Sequence, residues 1–583
     1  MTATLLQRSV RLRAGVMTAL ALVLLFSPEV AAQSLIDAQS VVRQREQLEL
    51  GQRLRSMRRP PPLLGPASVA PPNQAAIPFS FSQRCWWVDG IRLTGNRLIA
   101  QADITQAIAP HLSACIDTEQ INRLLAAITA LYVDKGYIAS RPQLALPPAD
   151  REPLRLDITE GFVESIEVSD QSLPLSLRSA FNGMLGQPLQ LRNLERGLEQ
   201  LNRLQAFDLT ADVEPGDAIG ASRIVIRPLS RPSRWSLNAN FNNAGKPDTG
   251  RHQAQLTVSL DSPLHLNDFI YLSAGQTFAH APALSRILGV YYAIPFEAWS
   301  FNLSANGSEY QMPVVGLAGS RLSHGSNTAL GMGLERSLWR DQQRLLSATV
   351  RIDRKRTDAW IGEQLLEPQS PRLLNAEAGL NLLWTQQGIW TAYLGVSRGL
   401  SDWRSDAQHR DVIRKSGGNP SALPDSPRGQ FTKWRMSLGY LTQRPWAGQQ
   451  WQWRSQLAAQ YSRDPLPPAE QQVLTEQYAV RGLQDLSLAA STAASWNNTL
   501  ILKHGLGAGW SLEPQLGLDV GWRRLDPLQR AIRDPFASVA RMAGASAGIA
   551  LVNRHTRLNL GNGLAGRRVQ IEVLAGAHVD VAP

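Results

Sequence analysis

Trp299-Ser-Phe-Asn-Leu-Ser-Ala305 and Leu346-Ser-Ala-Thr-Val-Arg-Ile352 alternate apolar and polar residues along their length. A period of two places the apolar side chains on one face of an extended strand and the polar ones on the other. Trp235-Ser-Leu-Asn-Ala-Asn-Phe241 and Ala254-Gln-Leu-Thr-Val-Ser-Leu260 repeat the pattern, as do residues 390–396, 432–440, 451–461 and 512–522. The runs end in Gly, Asn, Asp or Pro turns, and aromatics recur near strand ends. Ser, Thr, Asn, Gln and Arg supply the polar face, which suits a wet lumen, while the apolar face suits lipid. A soluble β-sandwich alternates too, but it packs one core and runs ~100 residues. Here the pattern fills residues 235–583. The expected fold class is mainly β, with residues 232–583 forming a transmembrane β-barrel.

A barrel in an outer membrane requires export, and the N-terminus supplies the signal. Arg8, Arg11 and Arg13 precede an apolar run over residues 15–26, and Val30-Ala31-Ala32 offers a small-residue cleavage site. The competing reading is a membrane anchor, but 12 apolar residues fall short of the ~18–20 needed to span a bilayer. Residues 1–32 are therefore read as a signal peptide. The remaining composition agrees. The net charge is +11, only 18% of residues are charged, and the basic residues form no long run. Nucleic acid is not an expected partner, and the excess belongs to surfaces and a lined cavity. With one apolar run in the chain, a helical membrane bundle is excluded.

Residues 33–59 lack Pro and form a polar helix with a thin apolar stripe (Leu35, Val41, Val42, Leu48, Leu54, Met57), suited to a wet cavity rather than a dry core. Seven prolines among residues 60–78 make 60–84 a stiff tether. Two small α+β modules follow, at 85–161 and 162–231, each reading β-α-α-β-β. In the first, residues 86–93 alternate like a strand, and Ile121, Leu124, Leu125, Ile128 and Leu131 mark one face of a helix over 118–132. In the second, helices are expected near 175–185 and 191–204, and strands at 162–168, 207–213 and 223–227. Cys85 and Cys115, the only cysteines, lie in the first module. Export favours a disulfide between them, the alternative being two separate buried thiols.

No enzyme is expected. Gly544-Ala-Ser546-Ala-Gly548 fits G-x-S-x-G and Gly561-Asn-Gly563-Leu-Ala-Gly566 fits G-x-G-x-x-G. Both are followed by further strand rather than by the helix such motifs need, so they read as small-residue patches of the barrel. There is no H-E-x-x-H, no C-x-x-C and no Walker A motif, so neither a metal, a cofactor nor an internal energy source is expected.

Tyr461-Ser-Arg-Asp464-Pro-Leu-Pro467-Pro-Ala-Glu470 leads to Val480-Arg481-Gly482-Leu483. This stretch resembles the re-entrant loop of two-partner secretion transporters, the haemolysin secretion/activation family, which presents a V-R-G-Y/F motif inside its barrel. Asn243-x-Gly245, Thr249-Gly250-Arg251, Asp261-Ser-Pro263-Leu264, Asn267-Asp268 and Pro295-Phe-Glu-Ala-Trp299 resemble other segments of that family. The paired modules resemble its POTRA domains, including the Cys pair and Asp134-Lys135-Gly136-Tyr137. The resemblance implies a 16-stranded barrel, two periplasmic POTRA domains and an N-terminal plug helix. It further implies that Arg481 pairs with Asp519 of Gly517-Leu-Asp519-Val-Gly521. The residues by themselves also allow Arg481 in an exposed turn and Asp519 facing lumen water.

Several positions depart from the family pattern. Leu483 replaces an aromatic, residues 489–494 (AASTAA) replace a Gly-rich stretch, Thr499 replaces Glu, and the chain ends Val579-Asp-Val-Ala-Pro583 without a terminal aromatic. The function implied is a bacterial outer-membrane pore. Its POTRA domains capture an unfolded exoprotein of the β-helical adhesin or haemolysin type, and it acts as a monomer surrounded by outer-membrane lipid. The alternatives are an insertase of the same superfamily and a passive porin, although a porin has no need of two periplasmic α+β domains.

Overall fold

The computed structural model describes residues 49–51, 53–54, 85–113, 115–230, 232–316, 319–341, 343–401, 427–475, 479–483, 487–524, 539–563 and 569–577. The expected signal peptide (1–32), the linker (60–84), most of the N-terminal helix and the last six residues lie outside the described residues.

The first module contains β1 (Ile91–Thr94), α1 (Gln101–Ile108), α2 (Thr118–Asp134), β2 (Arg141–Leu144) and β3 (Leu154–Thr159). Its sheet runs β1-β3-β2, parallel then antiparallel. Asp117 starts α2 with a reciprocal cap: its carboxylate accepts from the Gln120 N–H at 2.7 Å, and the Gln120 side chain accepts from the Asp117 N–H at 3.0 Å. Leu124, Ile128 and Tyr132 of α2 bury against Ile104, Leu154, Leu156 and Ile158. The strand read at 86–93 is broken: Trp86 bridges Ile116, and Gly90 in the left-handed region (φ +88°) separates it from β1.

Cys85 and Cys115 form a disulfide beside that bridge, fastening the module's first residues to the turn before α2. It closes a loop of 30 residues. Replacing both cysteines by serine is expected to cost about 3–4 kcal/mol by the loop-entropy argument. In the intact protein, hydrogen exchange should quicken across residues 85–161 and stay unchanged in the barrel.

The second module contains β4 (Phe162–Val168), α3 (Leu177–Ala180), α4 (Leu191–Asn202), β5 (Asp208–Pro215) and β6 (Ala221–Ser230), with sheet order β4-β6-β5. The helix expected near 175–185 is a single turn: Pro174 precedes it, and Gly183 and Gly186 follow with positive φ. Leu194, Leu198 and Leu201 pack on Val163, Ile224 and Ile226. The same apolar cluster runs on into Phe269, Tyr271, Tyr291 and Ala293 of the barrel. This module is therefore docked on the barrel mouth rather than hung beneath it.

The barrel strands are β7 (Trp235–Asn242), β8 (His252–Asp261), β9 (Phe269–Phe278), β10 (Leu284–Phe296), β11 (Trp299–Gly316), β12 (Gly319–Arg340) and β13 (Arg344–Ile361). The two-residue β14 (Gln364–Leu365) comes next, followed by β15 (Arg372–Trp384), β16 (Ile389–Gly399), β17 (Thr432–Trp446) and β18 (Gln449–Ser462). After the hairpin β19 (Gln472–Thr475) and β20 (Ser487–Ala490) come β21 (Thr492–Gly507), β22 (Trp510–Arg524), β23 (Val539–Val552), β24 (Thr556–Gly563) and β25 (Val569–Ala577). Sixteen long antiparallel strands close, β25 pairing β7 from Glu572↔Asn242 to Ala577↔Leu237. The alternating runs read from the sequence fall within these strands.

Orientation decides between lipid and core. On β22, Leu516 and Leu518 are 60% and 67% exposed, whereas Asp519 between Leu518 and Val520 is 2% exposed. Apolar-out and polar-in is the reverse of a sandwich and the rule of a membrane barrel.

The docked module meets the barrel rim through a carboxylate. Glu199 of α4 contacts Arg340 at the end of β12, N···O 2.6 Å. Burial pushes the Glu199 carboxyl up to about 7 from the ordinary 4.5; Arg340 and Arg196 oppose the rise and Glu195 adds to it. A carboxyl raised in the folded state binds more protons folded than unfolded between those two values. Its contribution to stability is therefore full below about pH 4.5 and is lost as pH rises through 7. Thermal unfolding of this module should thus come earlier as pH rises from about 5 to 8. Glu199→Gln should remove most of that slope, and an unchanged slope would refute the assignment.

Candidate functional site

Between β18 and β21 the described residues 463–475, 479–483 and 487–491 turn back into the lumen. The loop leaves β18 through hydrogen bonds from the Thr432 N–H to the Asp464 carboxylate at 2.7 Å and between Ser462 and Thr492. Prolines 465, 467 and 468 keep it extended to a single turn ending at Glu470. The β19–β20 hairpin then carries residues 479–483 deep into the barrel.

Arg481 sits where the resemblance implied, against Asp519. Its Nε donates to Asp519 Oδ2 at 2.7 Å, its Nη2 to Oδ1 at 2.6 Å, and its backbone N–H to Oδ2 at 2.8 Å. The guanidinium also donates to Thr499 Oγ1 at 2.9 Å and to the Asn498 carbonyl at 2.8 Å. β22 faces Asp519 inward and β21 pairs it with Asn497, so one patch of wall supplies all of these acceptors. A forked, charge-assisted pair of this kind is among the strongest polar contacts available to a protein. Thr499 accepts from Arg481 as a neutral partner.

The other motif residues have steric reasons. Val480 is fully buried with Leu474, Ala479, Ala490 and Ala493, and Leu483 packs on that cluster. The small residues of the AASTAA stretch thus leave room for the loop tip. Gly482 has φ +93°, a conformation open to glycine at little cost. The floor under the tip includes Gly544, where an added Cβ would collide with the Arg481 carbonyl oxygen. That glycine begins the G-x-S-x-G decoy; Ser546 lies within the continuous strand β23.

A second anchor went unread in the sequence. Glu470, 3% exposed, accepts from Lys355 Nζ and Asn375 Nδ2 at Oε1, both 2.7 Å, and from Lys433 Nζ at Oε2, also 2.7 Å. Gln460 donates to its backbone carbonyl at 2.9 Å. Lys355 and Lys433 occupy inward positions of β13 and β17, and a lysine at an inward register position was the available signal. Their separations of 115 and 37 residues from Glu470 gave no local pattern to join them.

The described part of the N-terminal helix, 49–51 and 53–54, also lies within the barrel. Arg53 donates through Nε and Nη2 to both oxygens of Glu335 on β12, at 3.0 and 2.9 Å, and through Nη1 to Asn381 on β15 at 3.0 Å. The lumen therefore holds a helix and a folded loop, each tied to the wall by an arginine–carboxylate fork. Among the described residues no group of His, Cys, Asp and Glu is arranged to hold a metal.

Residues 220–551 match the model of haemolysin secretion/activation protein ShlB/FhaC/HecB. Residues 86–161 match the ShlB-type POTRA domain, and residues 162–215 match a POTRA domain. The chain is 34% identical over 462 residues to hemolysin transporter protein ShlB of Serratia marcescens, covering 78% of each. It is 31% identical over 444 residues to hemolysin transporter protein HpmB of Proteus mirabilis, covering 76% of each. The solved structure of CdiB from Escherichia coli shares the fold, with a TM-score of 0.73 at 24% identity over 93% of this chain and 98% of that one.

Proposed function

The chain belongs to the haemolysin secretion/activation (ShlB/FhaC/HecB) family, and from that premise we propose that it passes an unfolded exoprotein to the cell surface without ATP. It is an outer-membrane transporter of the two-partner secretion type, with its POTRA domains in the periplasm. The observation that carries the finer reading is a closed conduit whose contents are held by breakable polar contacts.

Cargo meets the two periplasmic sheets first. Their orders leave β1 and β2 as edges in one, and in the other β5 and the part of β4 beyond Val163, whose first residues are bridged to 186–189. An extended chain adds to such an edge through its backbone, which accepts many sequences provided they are unfolded. The docked second module delivers the chain to the barrel mouth, where Arg53 releases Glu335 and the N-terminal helix withdraws on its Pro-rich tether. The re-entrant loop, fixed by Arg481 and Asp519, keeps the lumen structured until cargo displaces it. Folding of the exoprotein outside removes it from the transit equilibrium and makes the movement one-way. One chain closes the whole barrel wall and carries the helix and loop that fill it, so the protein is read as acting as a monomer.

Deleting the chain and assaying the medium for a large β-helical exoprotein tests this reading. Loss of secretion with normal porin assembly is expected. Unchanged secretion would overturn the proposal, and loss of assembled porins would move the assignment to an insertase.

A further inference from the structure

We propose that the outer face of β13, β15 and β16 carries a binding site for the phosphorylated glycolipid of the outer leaflet, the class to which lipopolysaccharide belongs. Arg354 and Arg356 on β13, Arg372 on β15 and Arg398 on β16 are all exposed. Each lies on the lipid-facing register, in line with exposed Val350 and Ile352, Leu374 and Leu394 of the same strands. This face is therefore apolar below and cationic above.

The height of the cluster is set by the strand. Arg344, at the periplasmic end of β13, lies over the Trp339 and Trp384 rings at 5.6 and 5.3 Å, in the aromatic belt. Arg354 is ten residues further along the same strand. At ~3.3 Å per residue and a tilt of ~40°, that climbs about 25 Å, the thickness of a barrel's apolar band. Arg354 and Arg356 thus emerge at the outer headgroup level, where long side chains reach polar groups.

The pairing supplies the second argument. Arg356 stands directly opposite Arg372 in the antiparallel register, and like charges so placed repel. Arg354 is two residues along on the same face, and Arg398 faces Ala376, four residues down β15 from Arg372. Asp358 offsets one charge through its 2.7 Å contact with Arg356. Among the described residues, Arg354, Arg372 and Arg398 have no ion pair. Elsewhere on the same outer surface, Arg286 is faced by Glu309 in the register, an opposite charge where β13 and β15 set two like ones. An anion bridging Arg356 and Arg372 relieves the repulsion, and guanidinium forks match phosphate oxygens. Acyl chains of the same molecule then lie along Val350, Ile352, Leu374 and Leu394.

The test uses the purified full chain in detergent, titrated with bisphosphorylated lipid A and followed by thermal unfolding. The midpoint is expected to rise with this lipid and not with its dephosphorylated form. The variant R354Q/R372Q/R398Q is expected to bind roughly tenfold more weakly or worse, with its heat-modifiable gel migration reporting an intact barrel. An equal rise with the dephosphorylated lipid overturns the proposal, whether or not the variant folds. So does unchanged affinity in a folded variant, and so does an equal response to phosphatidylglycerol, which would mark a surface for any anionic lipid.

Discussion

Arg481→Met is expected to destabilise the barrel interior by about 3–5 kcal/mol and to abolish secretion, because it leaves Asp519 buried and unpaired. The asymmetry of the pair makes this the harsher of the two single changes. The Asp519 side chain has no solvent exposure, whereas that of Arg481 has 25%. When Asp519 is replaced instead, Arg481 keeps Thr499 and the Asn498 carbonyl and regains water. When Arg481 is replaced, the fully buried carboxylate loses the guanidinium fork and the ion pair that hold it. Asp519→Asn should therefore cost less than Arg481→Met, and Arg481→Met combined with Asp519→Leu should recover much of the stability, since an apolar pair often packs as well as a buried ion pair. Thermal unfolding of the purified variants checks the order, and exoprotein in the medium checks function. If the stability-recovered double variant still secretes, the pair is architectural and does not govern transit.

The parts of this molecule legible in its sequence are those written in a local period. A strand that faces lipid on one side and water on the other needs no partner to be recognised, so runs such as residues 346–352 placed the barrel. What failed locally failed for backbone reasons: Gly90 broke the strand beginning at Trp86, and Pro174 with Gly183 cut a helix to one turn. Strand length was also hidden. β12 has 22 residues, more than a bilayer requires, and at its extracellular end Ser, His and Gly no longer contrast the two faces. The Arg481–Asp519 contact was legible only through resemblance, since nothing local links positions 38 residues apart. Thr499 became meaningful once the register placed it beside Arg481, and the Glu470 cluster had only inward-facing lysines to signal it, with no local pattern joining them to Glu470.

That cluster carries the second large effect. Glu470→Ala should cost about 3–5 kcal/mol, because it leaves Lys433, 7% exposed, and Lys355 beside each other without the carboxylate that both contact. Glu470→Gln keeps the size and part of the hydrogen bonding but not the charge, and should fall between. Lys433→Met made together with Glu470→Leu should recover part of the loss by removing both members of the most buried pair. The consequence for the loop follows from where its anchors lie. Glu470 is held by β13, β15, β17 and β18, and Arg481 by β21 and β22, so residues 463–491 are fastened at separate points along the wall. Loss of one anchor leaves the other to retain the loop, and loss of both frees it. Planar-bilayer recordings should accordingly show modestly more frequent opening for Glu470→Ala alone and a much larger increase when it is combined with Arg481→Met. If opening requires both clasps to be released, their contributions add in opening free energy, so the changes in opening probability multiply and the combined variant opens far more often than the two single increases summed. Wild-type stability in Glu470→Ala, or an opening probability in the combined variant no greater than the two single increases summed, would show that the loop is not held in this way.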